Sequence, residues 1–375
     1  MGHRAKIKKA QVLLNAVKHK FFSRPRTYDD SAEDICAKIL EELWTGSFYQ
    51  TGLGHFNYFW IRDFGTVTRA LVVLGQHDRA VATLEWALSH YRAHGRVTLC
   101  LDEQGNAFDL PTPSIDALPW LIHAIRAANM SLAKNDRDFL EQELGRYGRV
   151  HLDERTHLPR KGAPASEMRD TVIYETSAYA VAMLAALARD AAWCGLTLPR
   201  VLEHDYAKVL CSEYWNGSFF KSDLHNDAFS SEANLIPFFT EVVDDPLMLS
   251  AVLETMHQKE LTKPFPVTYT DEPVAFRYHW WARLGMPKYQ GGTTWTWLGA
   301  MYLHLAYAAN DPRARDAFRA FTSLIERHRN FPEVVFRDGS WYETSLYRAE
   351  EGMVWSAIYL ALARQHATEG TTDTE

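Results

Sequence analysis

The chain of 375 residues is long enough for one large domain or two ordinary ones, and 47% of its residues are hydrophobic, as in a globular protein. Its formal net charge of −7 argues against a nucleic-acid surface as its main function. The 12 Trp and 17 Tyr residues exceed what filling a core requires, so some of these rings are predicted to line a cavity.

Targeting and redox signals favour a cytoplasmic protein. The N-terminal residues are basic, but no apolar stretch of signal-peptide type follows them, and no run approaches the roughly 20 apolar residues of a membrane span. The four cysteines are far apart in sequence and form no C-x-x-C motif, which predicts buried thiols in a reducing compartment. We therefore expect no membrane partner and no nucleic-acid partner, while the sequence leaves a homo-oligomer open.

The chain is predicted to form one domain between two short terminal segments. Residues 1–30 form a basic arm, within which 3–26 have the pattern of an amphipathic helix docked on the body. Ser31 followed by Asp34 is a capping pattern that opens the first helix of the domain. We find no linker or composition break in 31–367, so this range is predicted to be a single domain, with a disordered tail at 368–375.

Helices of two kinds alternate along the domain. Apolar helices rich in small residues follow amphipathic helices that have one charged face. The apolar helices start near Asp63, Asp116, Thr171, Ser231, Thr293 and Gly352. This spacing of about 57 residues predicts a repeated helical hairpin. Six such hairpins closed on themselves give an all-α fold, an (α/α)6 barrel with the apolar helices inside.

Polar residues collect just before the apolar helices, in loops that a closed barrel would bring together at one mouth. Carboxylates and tryptophans alternate in these loops, and such a funnel suits a carbohydrate, whose rings stack on indoles while its hydroxyls bind charged groups. The candidate ligand-binding residues are Trp60, Arg62, Asp63, Trp120, Glu175, Gln290, Trp295 and Trp355. Glu175 could instead form a buried ion pair with Arg169.

The segment from Trp60 to Asp63 is the centre of this pattern. Trp60 offers a flat apolar face, Arg62 a planar donor and Asp63 a two-oxygen acceptor, at the start of a helical stripe. The alternative is an ordinary helix start, in which Asp63 caps the helix and pairs with Arg62 at the surface.

Two further segments supply candidate catalytic carboxylates. Asp116 lies in an apolar run between two prolines, where burial would raise its pKa and keep it protonated as a general acid; the alternative is an aspartate that serves the helix dipole. Glu333 and Glu343 flank a tight-turn signal, and either could activate a water molecule. Each could also be a surface glutamate.

Four motifs resemble those of one enzyme family, the neutral/alkaline invertases. Phe59–Phe64 resembles their Ile-Arg-Asp-Phe signature, and Pro113–Trp120 resembles the segment with their acid aspartate. Tyr289–Trp295 is similar to their Tyr-His-Asn-Gly-Gly-Ser-Trp, and Pro332-Glu333 with the later Trp355-Ser356 resembles their Pro-Glu…Trp-Ser stretch. The resemblance extends more loosely to the clan of (α/α)6 glycosidases that includes glucoamylases, trehalases and glucosylglycerate or mannosylglycerate hydrolases.

The resemblance implies an inverting glycoside hydrolase that cleaves a small glycoside or disaccharide, an α-glucoside or sucrose-like molecule. Asp116 would be the general acid and Glu333 the general base, with carboxyl groups roughly 6.5–9.5 Å apart. The chain departs from the invertase pattern at Gln290, which replaces a His-Asn pair, and at 334–336, which replace Tyr-Tyr-Asp. Two more residues lie between Glu333 and Trp355 than in the family pattern, so Glu343 stays an alternative base.

The sequence predicts no metal and no cofactor. It contains no His-Glu-x-x-His motif and no close His/Cys cluster, and Gly291-Gly292 lacks the rest of a phosphate loop. The rival functions are a sugar epimerase, a phosphorylase or a non-catalytic carbohydrate-binding protein on the same barrel. An epimerase would place histidine bases where this sequence has carboxylates.

Overall fold

The computed structural model describes residues 3–161 and 166–369. Fourteen α-helices occur in these two ranges. They are α1 His3–Phe22, α2 Ala32–Leu43, α3 Ile61–Val73, α4 His77–His94, α5 Ala117–Ala127, α6 Lys134–His151, α7 Ala178–Trp193, α8 Tyr206–Val209, α9 Ser231–Phe239, α10 Pro246–Gln258, α11 Trp280–Gly285, α12 Thr296–Ala308, α13 Ala314–His328 and α14 Ser356–Glu369. Helix α8 continues into a π-helical turn, Leu210–Tyr214.

Six of these helices form a closed inner ring. Helix α3 packs on α5, α5 on α7, α7 on α9, α9 on α12, α12 on α14, and α14 returns to α3. Their partners α2, α4, α6, α8, α10 and α13 precede them in the chain and pack outside them. The fold is the predicted (α/α)6 barrel of six hairpins, to which α1 and the short α11 are additions.

The two rings differ in burial as their sequences predict. In inner helix α7 twelve residues are buried, and alanines dominate, because small side chains let six helices approach around one axis. Outer helix α13 buries only Ala314, Phe321, Leu324 and Ile325 and turns its charged residues to solvent. The predicted cap of α2 is also present, since Ser31 Oγ accepts a hydrogen bond from the backbone N–H of Asp34, with an O···N distance of 3.2 Å.

Short antiparallel strands, which the sequence did not reveal, brace the loops at the barrel mouth. They are β1 Phe59–Trp60, β2 Cys100–Leu101, β3 Ala107–Phe108, β4 Lys221–Asp223, β5 Asn226–Phe229, β6 Val267–Thr268, β7 Thr293–Trp295 and β8 Val334–Phe336. They form the sheets β1-β2-β3, β4-β5 and β6-β7-β8. Strand β1 leads directly into α3 and β7 into α12, so these sheets fix the residues that precede two inner helices. Strands of two to four residues are too short to give a recognisable alternation.

Some predicted boundaries were wrong. The third inner helix begins at Ala178 rather than near Thr171, because Ser177 Oγ caps it by accepting from the N–H of Ala180 at 3.0 Å. The sixth begins at Ser356 rather than at Gly352, whose φ of +58° lies outside the helical region.

The termini bear on two further predictions. Helix α1 occupies much of the predicted arm, and α14 extends to Glu369, two residues into the predicted tail. The rest of that tail, 370–375, lies outside the described residues. Within the described ranges, no helix has both the length and the apolar character that a membrane span needs.

Candidate active site

The loops before the inner helices contact one another across the barrel mouth. The side chain of Arg62, at the start of α3, bonds to that of Asp116 at the start of α5. Thr171, in the loop before α7, bonds to Gln290 in the loop before α12. The N-terminal ends of the inner helices therefore lie at one end of the barrel, where the sequence placed the polar clusters.

Asp116 is a fully enclosed carboxylate of this cluster, with 0% exposure. Arg62 binds it with two hydrogen bonds, from Nε at 2.8 Å and from Nη2 at 2.9 Å. The Tyr179 hydroxyl donates to it at 2.5 Å, and the Ser114 hydroxyl also donates to it. A carboxylate with four donors and no accessible surface cannot hand a proton to a bound ligand. The structure thus argues against Asp116 as the general acid and makes it the fixed counter-ion of Arg62.

Asp63, one residue beyond Arg62, is partly exposed at the mouth. Burial raises the pKa of its carboxyl to about 7, although Arg62 and a hydrogen bond from Trp355 act in the opposite direction. Trp355 precedes α14, so the first and last inner helices meet at this carboxyl. Arg62 therefore does not form the alternative surface pair with Asp63. It bonds to Asp116 instead, and Asp63 faces the mouth.

Glu333 lies in a cradle of neutral donors just before β8, with 2% exposure. Its Oε2 accepts from the Tyr347 hydroxyl at 2.7 Å and from the backbone N–H of Glu350 at 2.9 Å. The Tyr289 hydroxyl donates to its Oε1. Burial raises the pKa of Glu333 to about 7, against the lowering effect of these donors. No guanidinium or ammonium group contacts this carboxylate in the part of the chain that the structure describes.

The alternative base, Glu343, does not belong to this cluster. Its side chain is 46% exposed and pairs with Lys20 of helix α1. An exposed carboxylate already bound to a lysine is a poor base for a water molecule in an enclosed site. The structure therefore favours Glu333.

Asp170, which is not among the predicted site residues, is a partly exposed carboxyl in the loop before α7. Burial raises its pKa to about 6; Arg62 acts to lower it, and the charge of Asp116 acts to raise it. The Gln290 amide donates to it. Arg169-Asp170 repeats the Arg-Asp dipeptide of Arg62-Asp63, and this repetition was the signal that could have identified it.

Glu167 lies three residues earlier in the same loop. Its Oε2 accepts a hydrogen bond from the Ser177 hydroxyl at 2.6 Å. Burial, with the nearby charges of Asp116, Asp223 and Glu232, raises its pKa to about 8. Glu167 is thus bonded to the cap of α7, whereas Asp170 interacts with Arg62 and Gln290.

Gln290 and Arg169 hold the loop before α7 against the loop before α12. Gln290 Oε1 accepts from both the backbone N–H and the hydroxyl of Thr171, at 3.0 and 2.6 Å. Arg169 donates to the Gln290 carbonyl at 3.0 Å and to the Tyr278 hydroxyl at 2.9 Å, and its guanidinium lies 4.0 Å from the ring centroid of Phe276. The predicted ligand-binding role of Gln290 is therefore reduced, because its carbonyl and amide are largely used within the protein.

The four predicted tryptophans differ in position. Trp120 is fully buried, and its indole N–H donates to the Tyr179 hydroxyl at 3.0 Å, so it is part of the barrel core. Trp295 bonds to the Tyr289 carbonyl at 2.8 Å and supports the Glu333 cradle. Trp355 donates to Asp63. Trp60 is 9% exposed, and its indole N–H has no partner among the described residues, so it remains the best placed to bind a ligand.

Glu175 is not part of the cluster. Its side chain is 46% exposed, and its Oε2 lies 3.1 Å from Lys161 Nζ at the rim of the barrel. The alternative pairing with Arg169 is also absent, since Arg169 binds the groups described above.

Comparison with solved structures identifies the fold. A rhamnosidase from Klebsiella oxytoca, with rhamnose bound, superposes with a TM-score of 0.64 at 13% identity, over 90% of this chain and 63% of that one. The GH63 mannosylglycerate hydrolase from Thermus thermophilus, in complex with Tris and D-glycerate, superposes with a TM-score of 0.56 at 15% identity, over 89% and 100%. A protein described as a wild-type glycosidase gives 0.62 at 13% identity, over 95% and 98%. This chain has their fold.

The likeness is one of architecture, because the identities are far below those that show a shared activity. The chain spans 63% of the length of the rhamnosidase and the whole of the mannosylglycerate hydrolase. These matches do not confirm the resemblance to the neutral/alkaline invertases. No protein-family model matches the sequence, and no curated protein matches it in sequence.

Proposed function

We propose that this protein is an inverting glycoside hydrolase that releases the terminal sugar of a small glycoside, with Glu333 as general base and Asp170 as general acid. The observation that carries the proposal is the cradle of Glu333, a buried carboxylate at the barrel mouth that no cation among the described residues neutralises. The glycosidases that share the fold support the reaction class.

Glu333 is suited to act as a base because its three hydrogen-bond donors stabilise the ionised carboxylate without abolishing its basicity. An ion pair such as that of Asp116 lowers basicity, whereas hydroxyl and amide donors orient the carboxylate and leave it able to take a proton. Burial removes competing water, so the single molecule that Glu333 activates is the one placed for attack.

Asp170 suits an acid because it is partly exposed and its pKa is raised to about 6, as a proton donor to the leaving oxygen requires. It precedes α7, and Glu333 lies in the connection that leads to α14. In a ring of six, α7 and α14 are opposite each other, so the two carboxyls approach a bound ring from opposite sides. Inversion requires this arrangement, with room for water next to the base.

The remaining residues favour a neutral sugar ring in the subsite next to the cleaved bond. Asp63 can accept hydrogen bonds from sugar hydroxyls, and the indole N–H of Trp60, which has no partner among the described residues, can donate one. Both guanidinium groups of the cluster are occupied, Arg62 by Asp116 and Arg169 by a carbonyl and two hydroxyls, so neither is free for an anionic ring. The more specific proposal is that the substrate is a sucrose-like α-glucoside.

The first experiment is a substrate panel read by proton NMR. It includes sucrose, other α-glucosides, α-rhamnosides and mannosyl- or glucosylglycerate. We expect one of these to release free sugar, with the anomer first formed opposite to that of the substrate. A product of retained configuration contradicts the inverting mechanism, phosphate-dependent release indicates a phosphorylase, interconversion of free sugars indicates an epimerase, and binding without turnover indicates a carbohydrate-binding protein.

The second experiment assigns the two carboxyls by the leaving group. Asp170→Asn should lower kcat for a sugar leaving group by about 10²–10⁴-fold, the usual contribution of a general acid. It should lower kcat much less for a glycosyl fluoride, whose leaving group needs little protonation. Glu333→Gln should be inactive on both substrates, because the water still needs a base.

Glu167→Gln is the matched control, since it changes a neighbouring carboxyl in the same loop. We expect it to keep kcat within about tenfold of the wild type for both leaving groups, below the general-acid range. If Glu167→Gln shows the leaving-group dependence and Asp170→Asn does not, Glu167 is the acid and the assignment to Asp170 fails.

A further inference from the structure

Two histidines and a glutamate from distant parts of the chain meet behind the Glu333 cradle. They are His19 of helix α1, His55 in the loop before β1 and Glu350 in the loop before α14, exposed by 6%, 2% and 0%. One donor atom from each lies within 4.8 Å of the other two. Sequence spacing could not reveal this cluster, because its members are 36 and 295 positions apart.

His55 lacks the partners that a buried imidazole normally has. Neither of its ring nitrogens makes a hydrogen bond to any described residue. Its Nδ1 lies 3.1 Å from Glu350 Oε2, but not in the direction of a hydrogen bond. Two ligands of one zinc ion, each about 2.0–2.2 Å from the metal in tetrahedral geometry, lie roughly 3.3 Å apart. The separation of these two atoms is therefore close to that of a ligand pair.

His19 also has a ring nitrogen available. Its Nε2 lies 3.3 Å from Arg348 Nη2, but that nitrogen already directs its two protons to the carbonyls of His19 and Ser23, each at 3.0 Å. Gly54 makes the approach of His19 to Glu350 feasible, since a Cβ at position 54 would come within 2.6 Å of His19 Cε1. Because residue 54 is a glycine, no side chain fills the space between His19 and Glu350.

Glu350 is fixed as metal-binding carboxylates usually are. Its two oxygens accept backbone N–H groups, Oε1 from Gly54 at 2.6 Å and Oε2 from Phe56 at 2.5 Å. Three carboxyl groups, those of Glu333, Glu350 and Glu351, lie near one another here, and Arg26 and Arg348 lie near Glu351. A bound cation would reduce the repulsion among these carboxylates.

We propose that His19, His55 and Glu350 bind a divalent transition-metal ion, Zn²⁺ in the first place, which fastens helix α1 to the barrel behind Glu333. Two imidazoles and one carboxylate are a common zinc ligand set, with water at the fourth position. The role is structural, since the backbone N–H of Glu350 and the ring of Tyr347, 5.2 Å from that of His55, both lie between the cluster and Glu333. The proposal does not depend on the proposed glycosidase function.

The test measures metal binding directly on the full chain. After treatment with a chelator and dialysis, one equivalent of ZnCl₂ should bind per chain by mass-spectrometric metal analysis, and the Tm should rise with ZnCl₂ concentration. Co²⁺ in place of Zn²⁺ should give the visible absorption of a four-coordinate site. Zinc should also slow hydrogen exchange in 3–22, because the ion would tie α1 down.

The variants His19→Gln and His55→Gln should each weaken zinc binding by more than about tenfold, a loss that changing a residue behind a ligand already causes. His77→Gln, a change of the same kind on exposed helix α4, is the matched control and should bind zinc as the wild type does. The chelator-treated His19→Gln protein should keep the Tm of the chelator-treated wild type, which separates loss of metal from loss of folding.

Either of two results overturns the proposal. One is the absence of stoichiometric zinc binding by the folded wild-type chain. The other is zinc binding that both histidine variants retain, which would place the ion elsewhere.

Discussion

Two Arg-Asp dipeptides stand at the barrel mouth, Arg62-Asp63 at the start of α3 and Arg169-Asp170 before α7. In both, the arginine turns into the protein and the aspartate stays partly exposed with a raised pKa. The arginines differ in their partners. Arg62 binds the carboxylate of Asp116 with two hydrogen bonds, whereas Arg169 binds one carbonyl and two hydroxyls and lies over an aromatic ring. The same Arg-Asp dipeptide thus forms a buried ion pair in one place, whereas in the other its arginine is held by uncharged acceptors.

This difference matters because the buried carboxylate of Asp116 needs an opposite charge, whereas the uncharged acceptors of Arg169 do not. Removing one member of an ion pair leaves the other uncompensated, while removing a guanidinium whose direct acceptors are neutral chiefly leaves unsatisfied dipoles. For Arg169, the buried carboxylate of Glu232 lies one hydrogen bond further, behind the Tyr174 hydroxyl. The two arginines should therefore respond very differently to the same substitution.

The largest effect is expected from that substitution. Arg62→Met should lower the free energy of unfolding by about 3–5 kcal/mol, because it strands the Asp116 carboxylate in the core. Arg169→Met should lower it by about 1–3 kcal/mol, the range for buried neutral groups that lose their donors. Urea unfolding at neutral pH measures both.

A second substitution tests the cause. Asp116→Asn added to Arg62→Met should restore part of the lost stability, since it removes the unpaired charge and keeps a side chain of the same shape. Equal losses for the two single arginine variants, or no recovery in the double variant, would contradict the comparison.

The aspartates of the two dipeptides should differ in the pH range over which they affect stability. A carboxyl whose pKa is raised in the folded state stabilises the protein at pH values below its unfolded pKa, and this contribution is lost as the pH rises through the folded pKa. The window runs from the ordinary pKa of 3.8 to about 7 for Asp63 and to about 6 for Asp170.

Asn variants at both positions should therefore gain stability over the wild type as the pH rises. For Asp63→Asn the gain should reach at most about 4 kcal/mol, since each pKa unit corresponds to about 1.4 kcal/mol. For Asp170→Asn the gain should reach at most about 3 kcal/mol. Between pH 6 and 7 the gain of Asp63→Asn should still be increasing, whereas the gain of Asp170→Asn should be levelling off. Unfolding free energies from pH 4 to 8 measure both curves, and gains that are the same at every pH would show that these carboxyls have ordinary pKa values.

Much of this architecture could be predicted from the sequence, and the exceptions have physical causes. Helix periodicity and the hairpin repeat predicted the barrel because burial along a helix depends on residues close in sequence. The Arg62–Asp116 pair joins two hairpins across 54 positions. The Glu333 cradle joins Tyr289, 44 positions earlier and before α12, to Tyr347 and Glu350 in the connection that leads to α14. No local pattern encodes such pairing.

The expected role of Asp116 changes for a related reason. Its apolar flanks correctly predicted burial, but burial alone does not decide between a protonated acid and an ion-paired anion, since that depends on whether an arginine from another loop reaches it. Asp170 stands just before the predicted helix start near Thr171, and only the structure, in which α7 begins at Ala178, shows that it lies in a longer loop beside Arg62 and Gln290.

A smaller effect should separate the tyrosines that serve the two arginine sites. The Tyr179 hydroxyl donates to the charged Asp116 at 2.5 Å and is buried, so Tyr179→Phe should lower the free energy of unfolding by about 1.5–3 kcal/mol. The Tyr278 hydroxyl accepts from Arg169 at 2.9 Å and is only partly buried, so Tyr278→Phe should lower it by about 0.5–1.5 kcal/mol. Denaturant unfolding of both variants, with unchanged m-values, measures the difference. The reverse order of the two losses would mean that the Asp116 ion pair does not need its hydroxyl donor.

The smallest effect is expected at the rim, where Glu175 follows the second dipeptide by five residues. Its ion pair with Lys161 is exposed, with side-chain exposures of 46% and 64%, and such pairs contribute about 0–1 kcal/mol. Glu175→Gln should leave the unfolding free energy unchanged within that range and kcat/KM within about threefold, which is less than 1 kcal/mol. A loss of tenfold or more in kcat/KM would show that Glu175 touches the bound sugar after all. The boundary between scaffold and binding site would then lie further out along this loop than the burial of Asp170 indicates.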